Sequence, residues 1–173
     1  MTTLYIDKVE SDIWNGFLVV SDKGLAYVSH FTDDLADVTA WQNKFYPETR
    51  LVSDADKVAP YKEQFEEYLA GERTEFDLPT DLQGTAFQKE VWEAMKQVPY
   101  GQTASYLDLA HMIGRDYKHS RAIGGAVGKN PLSIIYPCHR IVGQDGSLTG
   151  YGGGLDNKIA LLNLELEHAV NIN

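Results

Sequence analysis

The chain has 173 residues, 15 Lys and Arg against 25 Asp and Glu, a formal net charge of −10, 43% hydrophobic residues and a single Cys. Such a chain suffices for one ordinary domain or two small ones, which excludes intrinsic disorder, and one Cys excludes an internal disulfide and a multi-cysteine zinc site. No run reaches the roughly 18 apolar residues of a membrane span, and the start MTTLYIDKVESD lacks a secretory pattern, so a cytoplasmic protein without membrane contact is expected.

In chain order, residues 3–9 and 16–31 are rich in Tyr, Ile, Val and Phe and are broken at Ser21-Asp22-Lys23-Gly24, which predicts a strand followed by a hairpin. Thr32 is a candidate cap for a helix running to about Phe45. Pro60 falls in the expected first turn of another, whose Tyr61, Phe65, Tyr68 and Leu69 follow i, i+4, i+7, i+8 spacing up to Gly71. This part, residues 1–80, holds no chemical motif and reads as a structural α/β domain. Leu78-Pro79-Thr80-Asp81-Leu82-Gln83-Gly84 joins it to a second domain, residues 84–173.

Thr85 and Gln88 form a capping-box pattern before a helix with the apolar stripe Phe87, Val91, Ala94, Met95 and Val98, ended by Pro99-Tyr100-Gly101. Ser105 starts a second helix over 106–113, stopped by Gly114. Ser120 is the expected cap of a third, from Arg121 to about Gly128, ended by Asn130-Pro131. Two short helices joined by a Gly-containing turn match a helix-turn-helix, although any helical hairpin gives the same pattern.

The acidity is confined to the first half, with 7 basic and 17 acidic residues up to position 83 and 8 of each after it. Arg115, Lys118, Arg121, Lys129 and Arg140, with His111, His119 and His139 nearby, make either a modest positive patch or an ordinary solvated face. The third helix, Arg121 to Gly128, offers almost no side chain able to read base edges. Its small residues serve either close helix packing or close approach to a sugar-phosphate backbone, with Arg121 at the leading end.

Residues 134–142 place the only Cys beside His139, after a β-branched run and Pro137. The thiolate is the reactive form, the free thiol titrates near about 8.5, and a neighbouring His lowers that value. Adjacent residues on an extended chain point to opposite sides, so Cys138 and His139 cooperate only through a turn or a bridging water. The alternative is a buried thiol acting as apolar filler. Residues 143–154 hold six glycines without the Lys-Ser/Thr ending of a phosphate loop, which leaves a flexible loop over a pocket.

Taken in order, the run Arg121 to Ala126, Asn130-Pro131, Pro137-Cys138-His139-Arg140, and Gly150-Tyr151 with Gly153 resembles the O6-alkylguanine-DNA alkyltransferase family, the methylated-DNA-protein-cysteine methyltransferases. The resemblance spans about Gly84 to Glu165. It implies an α+β chain: a small N-terminal ribonuclease H-like α/β domain, then a mostly helical domain with a winged-helix-like helix-turn-helix.

The same resemblance implies that Cys138 takes the alkyl group of a flipped-out O6-alkylguanine permanently, once per molecule, with O4-alkylthymine left open as a second substrate. His139 would act through a water as base, Glu165 would orient it, Tyr106 would assist the departing guanine, and Asn130 would brace the turn. Arg121 would fill the stack vacated by the base, with Ser120, Ala122, Gly124, Gly125 and Lys129 on the minor groove of duplex DNA. Tyr106, Ser133, Ile141, Tyr151 and Gly152 would line the pocket, Ser133 standing where some relatives carry proline. A monomer with no cofactor and no metal is implied, since the first domain has no Cys and only His30. Two other readings stay open: a non-catalytic binder of alkylated DNA, and a cysteine hydrolase using Cys138, His139 and Glu165.

Overall fold

The computed structural model describes residues 2–30, 34–148 and 154–169. Two compact units divide the chain, Met1–Gln83 and Gly84–Asn173. Among the described residues no helix is long and apolar enough to cross a membrane.

In the first unit, strands β1 (Thr3–Val9), β2 (Gly16–Ser21) and β3 (Gly24–Ser29) form the expected meander, and β4 (Arg50–Ser53) joins it. The sheet order is β3-β2-β1-β4, with β4 parallel to β1. Leu18, Val19 and Val20 are all buried, so β2 is covered on both faces. Helix α1 (Ala36–Phe45) sets Val38 and Trp41 against Leu4, Ile6, Val19 and Ala26. Helix α2 (Ala55–Leu69) adds Val58, Phe65 and Tyr68 to the buried interior.

Two helix starts differ from expectation. Helix α1 begins at Ala36 with Leu35 at the N-cap, and Thr32, the expected cap, lies outside the described residues. Helix α2 starts at Ala55 because the extended Asp54 accepts from the Lys57 N–H at 3.1 Å, so Pro60 sits inside the helix rather than in its first turn. The Asp54 cap offsets the one backbone bond that Pro60 cannot donate.

Residues 79–83 are sewn to this unit. The Leu25 N–H donates to the Pro79 carbonyl at 3.0 Å and the Asp81 N–H to the Leu25 carbonyl at 2.7 Å. The buried Asp81 carboxylate accepts from Ser21 at 2.6 Å, from Gln83 at 3.0 Å and from the Tyr46 hydroxyl.

In the second unit, helix α3 (Ala86–Met95) starts with the Thr85–Gln88 capping box and buries Val91, Trp92, Ala94 and Met95. Strand β5 (Ala104–Ser105) leads into helix α4 (Tyr106–Met112), where Ser105 and Asp108 form a second capping box. Gly114, at φ 75°, closes α4: its N–H bonds the His111 carbonyl and the Arg115 N–H bonds that of Ala110, at 3.0 and 2.8 Å. A 3-10 turn, Tyr117–His119, then enters helix α5 (Ser120–Gly128). Ser120 is therefore the first helical residue and not the cap. His119 takes the cap position, at φ −94° and ψ 1°, because the incoming turn is already helically wound.

The Trp92 indole donates to the Ala126 carbonyl at 2.8 Å and fixes α5 to α3. Strand β6 (Ile141–Val142) pairs in parallel with β5, and helix α6 (Leu155–Ala169) ends the described chain. Since the Ser105 hydroxyl caps the turn that begins with Tyr106, replacing Ser105 by Ala should cost about 1 kcal/mol in chemical denaturation. An unchanged midpoint would show that β5 alone sets the start of α4.

Candidate active site and nucleic-acid interface

Helix α5 turns Ile123, Ala126 and Val127 inward, while Arg121, Ala122, Gly125, Gly128 and Lys129 are exposed. Ser120 and Gly124 are half-buried. Among the described residues, a methyl group built on Gly125 or Gly128 meets nothing within 4 Å, and one on Gly124 only touches the Tyr106 ring at 4.0 Å. Close packing within this unit therefore does not explain these glycines. Each glycine inside a helix also costs roughly 0.5–1 kcal/mol relative to alanine. The outward face is smooth, small and flanked by Arg121 and Lys129.

One member of the expected basic patch does not belong to it. Arg140 is 7% exposed and turns inward to Glu165, and the adjacent His139 is fully buried, so neither adds charge to the surface. Lys118, Arg121 and Lys129 are exposed around the helix-turn-helix, while the half-buried Arg115 lies over the Phe87 ring at 5.2 Å.

The Cys138 segment is a turn rather than an extended strand. Pro137, at φ −77° and ψ 71°, forms a tight reversal in which the Cys138 N–H bonds the Tyr136 carbonyl at 2.8 Å, and Cys138–Arg140 follow as a 3-10 turn. The opposite-sides geometry of an extended chain therefore does not apply to Cys138 and His139. Asn130 holds the approach: its amide donates to the Tyr136 carbonyl at 2.7 Å and its oxygen accepts from the Leu132 N–H at 3.0 Å. Between these anchors Ile134 takes φ 77°. A β-branched residue there costs on the order of 1–3 kcal/mol and marks a loop held by its surroundings.

Cys138 is 7% exposed, and its thiol donates to the Ser133 hydroxyl at 3.9 Å. His139 Nε2 lies 2.6 Å from Glu165 Oε2. Arg140 grips the same carboxylate in bidentate fashion at 2.8 and 2.9 Å, and the Gly101 N–H donates to it at 3.1 Å. Arg140 also donates to the Val98 carbonyl at 2.7 Å, so both guanidinium and carboxylate are fixed where water is excluded.

Burial pushes the His139 imidazole below its ordinary value, outweighing the upward pull of the Glu165 hydrogen bond and charge. Burial alone would raise Glu165, yet its bonds and charge interactions with His139 and Arg140 hold it well below the carboxylate range. With His139 neutral, Arg140 carries the balancing charge. The neutral ring donates from Nε2 to Glu165 and presents Nδ1 as its basic nitrogen.

Both groups bind a proton more readily when unfolded, so their stabilisation is complete above about pH 6.5 for His139 and above about 4.5 for Glu165, and is lost as pH falls through each folded value. Thermal melting of the second unit should therefore drop below pH 6.5 and more steeply below 4.5. A melting temperature flat between pH 7 and 4 would contradict the buried pair.

Tyr106, half-buried at the start of α4, faces Gly124, while Ser133 and Ile141 are buried beside the Cys138 turn. Tyr151 and Gly152, the other expected pocket residues, lie outside the described residues. Sequence reasoning missed Arg140 as the carboxylate clamp, the Gly101 N–H and the buried Lys158. A single signal was present: Arg140 and Lys158 are cations set among apolar neighbours in Ile141-Val142 and Ile159 to Leu162.

Two family descriptions match the chain: the ribonuclease-like domain of 6-O-methylguanine DNA methyltransferase over residues 4–82 and its DNA binding domain over residues 86–167. The inducible methylated-DNA–protein-cysteine methyltransferase of Bacillus subtilis is 42% identical over 163 residues, covering 94% of this chain and 90% of that protein. The Methanosarcina acetivorans protein of the same name is 40% identical over 162 residues, covering 94% and 98%. A crystal structure of Mycobacterium tuberculosis OGT in complex with DNA superposes with a TM-score of 0.80 at 36% identity, covering 96% of this chain and 94% of that one. With both units matched and full-length relatives at this identity, the chain belongs to the 6-O-methylguanine-DNA methyltransferase family.

Proposed function

We propose that this protein is a methylated-DNA–protein-cysteine methyltransferase, which repairs O6-alkylguanine in DNA by moving the alkyl group onto its own Cys138. The observation that carries the residue assignment is the placement of the only Cys on a turn beside a buried His139–Glu165–Arg140 cluster. The Cys138 thiol gives its proton, through a water, to Nδ1 of His139. The thiolate sulfur then forms a bond to the alkyl carbon as the bond from that carbon to O6 breaks, and the electron pair leaves on guanine. Tyr106 assists that departure with a proton or hydrogen bond, and Asn130 keeps the turn in register. The thioether has no route back to thiolate, so each molecule acts once.

Guanine O6 is paired inside the duplex, so the base must leave the stack, at a cost of a few kcal/mol that is lowest for a damaged pair. The smooth face of α5 suits close approach to the minor groove, with Ser120, Ala122, Gly124, Gly125 and Lys129 along the backbone and Arg121 entering the vacated space. Little sequence preference and a salt-sensitive affinity follow, and the protein acts as a monomer.

Stoichiometry tests the activity: with labelled methyl on O6 of guanine in a duplex, one label per protein should transfer and a second addition of substrate should release nothing further. Continued turnover would favour a hydrolase instead. The interface has its own test. Replacing Gly125 by Leu should weaken duplex binding while the melting temperature holds or rises, and Arg121→Ala should slow reaction with duplex far more than with a free alkylguanine base. Equal slowing on the two substrates would remove Arg121 from the flipping step.

A further inference from the structure

Helix α6 sends two charged side chains into the same interior, seven residues and two turns apart on one face: Glu165 and Lys158, both 0% exposed. Glu165 serves His139, Arg140 and Gly101. Lys158 instead donates from Nζ to the Ile141 carbonyl at 2.5 Å, immediately after the turn that carries Cys138, and its charge interacts with the Cys138 sulfur. A lysine stem is costly to order and its ammonium costly to bury, so apolar packing alone does not account for it.

We propose that Lys158 is the counter-ion of the Cys138 thiolate and forms, with the Ser133 hydroxyl, a cradle for the charged sulfur that is separate from the His139–Glu165 pair. The Ser133 hydroxyl, which accepts from the thiol at 3.9 Å, reverses and donates once the sulfur is ionised. The bond to Ile141 fixes the ammonium at the end of the Cys138 turn without neutralising it, since a carbonyl carries no charge.

The surrounding ionisable groups fit this division. On the Cys138 turn, the resting His139 is neutral and Arg140 is matched by Glu165 of α6, so that cluster carries no net charge until His139 has taken the thiol proton. Tyr100 on the preceding loop feels Glu165 and Arg140. Burial draws Lys158 below its ordinary value while Cys138 pulls it back, as expected of an ammonium whose charge is sustained by a neighbouring thiolate.

Alkyl transfer has a consequence here. The new thioether is neutral, so the repaired protein keeps a buried ammonium and loses the thiolate that matched it.

This inference rests on Cys138 as the acceptor, but its test needs no DNA, so the two can fail separately. The thiolate is followed by its ultraviolet absorbance across pH in the full chain. Wild type should titrate below the ordinary thiol value of about 8.5, and Lys158→Met should move the midpoint up by about 1–3 units, the usual effect of one opposite charge in contact range. Lys158→Arg, which keeps the charge, should recover most of the shift. A folded Lys158→Met with an unmoved midpoint overturns the proposal. If that variant does not fold, Ser133→Ala decides: it should also raise the midpoint, and no rise overturns the cradle. Methylating Cys138 with a small chemical alkylating reagent such as iodomethane, again without DNA, should lower the melting temperature of wild type more than that of Lys158→Met, and equal drops would contradict the loss of a counter-ion.

Discussion

Replacing Glu165 by Gln should destabilise the second unit by about 3–5 kcal/mol, the range found when one partner of a buried ion pair is removed. The change keeps shape and volume but deletes the charge that two Arg140 contacts at 2.8 and 2.9 Å and the His139 contact at 2.6 Å were built around. Arg140, 7% exposed, cannot reach bulk water without disturbing the Val98 and Glu165 contacts that fix it. The amide would also present a donor to one of the groups that now donate to the carboxylate. Alkyl transfer should slow as well, because His139 loses the partner that sets its tautomer. Urea denaturation measures the first effect and single-turnover kinetics the second. A loss below about 1 kcal/mol, the range of exposed pairs, would mean that the cluster is solvated.

The second large effect is at the sulfur. Cys138→Ala should abolish methyl acceptance completely while leaving binding to a lesion-containing duplex unchanged. The only nucleophilic sulfur is in the turn before β6, whereas the expected DNA contacts are on α5, in a separate element of the same unit. Concurrent loss of binding would show that the alkyl pocket supplies much of the affinity, and the separation of roles between α5 and the Cys138 turn would have to be given up.

Much of this was legible in the chain because the punctuation was strong. Thr85 with Gln88, Ser105 before Tyr106 and Gly114 after α4 each act within a turn of their own backbone, and local capping chemistry is readable from local sequence. The breaks at Ser21 to Gly24 located the hairpin for the same reason. Where a longer-range partner decides, reading failed. The four residues of β4 gain their identity only by pairing with β1, and Ser120 was displaced from the cap by the 3-10 turn before it. Pro60 was misplaced because Asp54, six residues earlier, supplied a stronger start.

The site divided along the same line. The order of Pro137-Cys138-His139-Arg140 pointed to the nucleophile and its neighbour, and Glu165 came from the family resemblance. The partnership of Glu165 with Arg140 and Gly101, and the burial of Lys158, depend on how α6 lies against the Cys138 turn. No spacing within one segment carries that information. In sequence the face of α5 fits packing and contact with DNA equally; what sets packing within the unit aside is that no described residue lies within 4 Å of a methyl group at Gly125 or Gly128.

The most direct test is peptide mass spectrometry after incubating the protein with a short duplex that carries one O6-methylguanine. A single added methyl on the peptide containing Cys138, saturating at one per chain, is the expected result. An unmodified Cys138 with the lesion still bound would contradict it and make the protein a binder of damaged DNA rather than an acceptor.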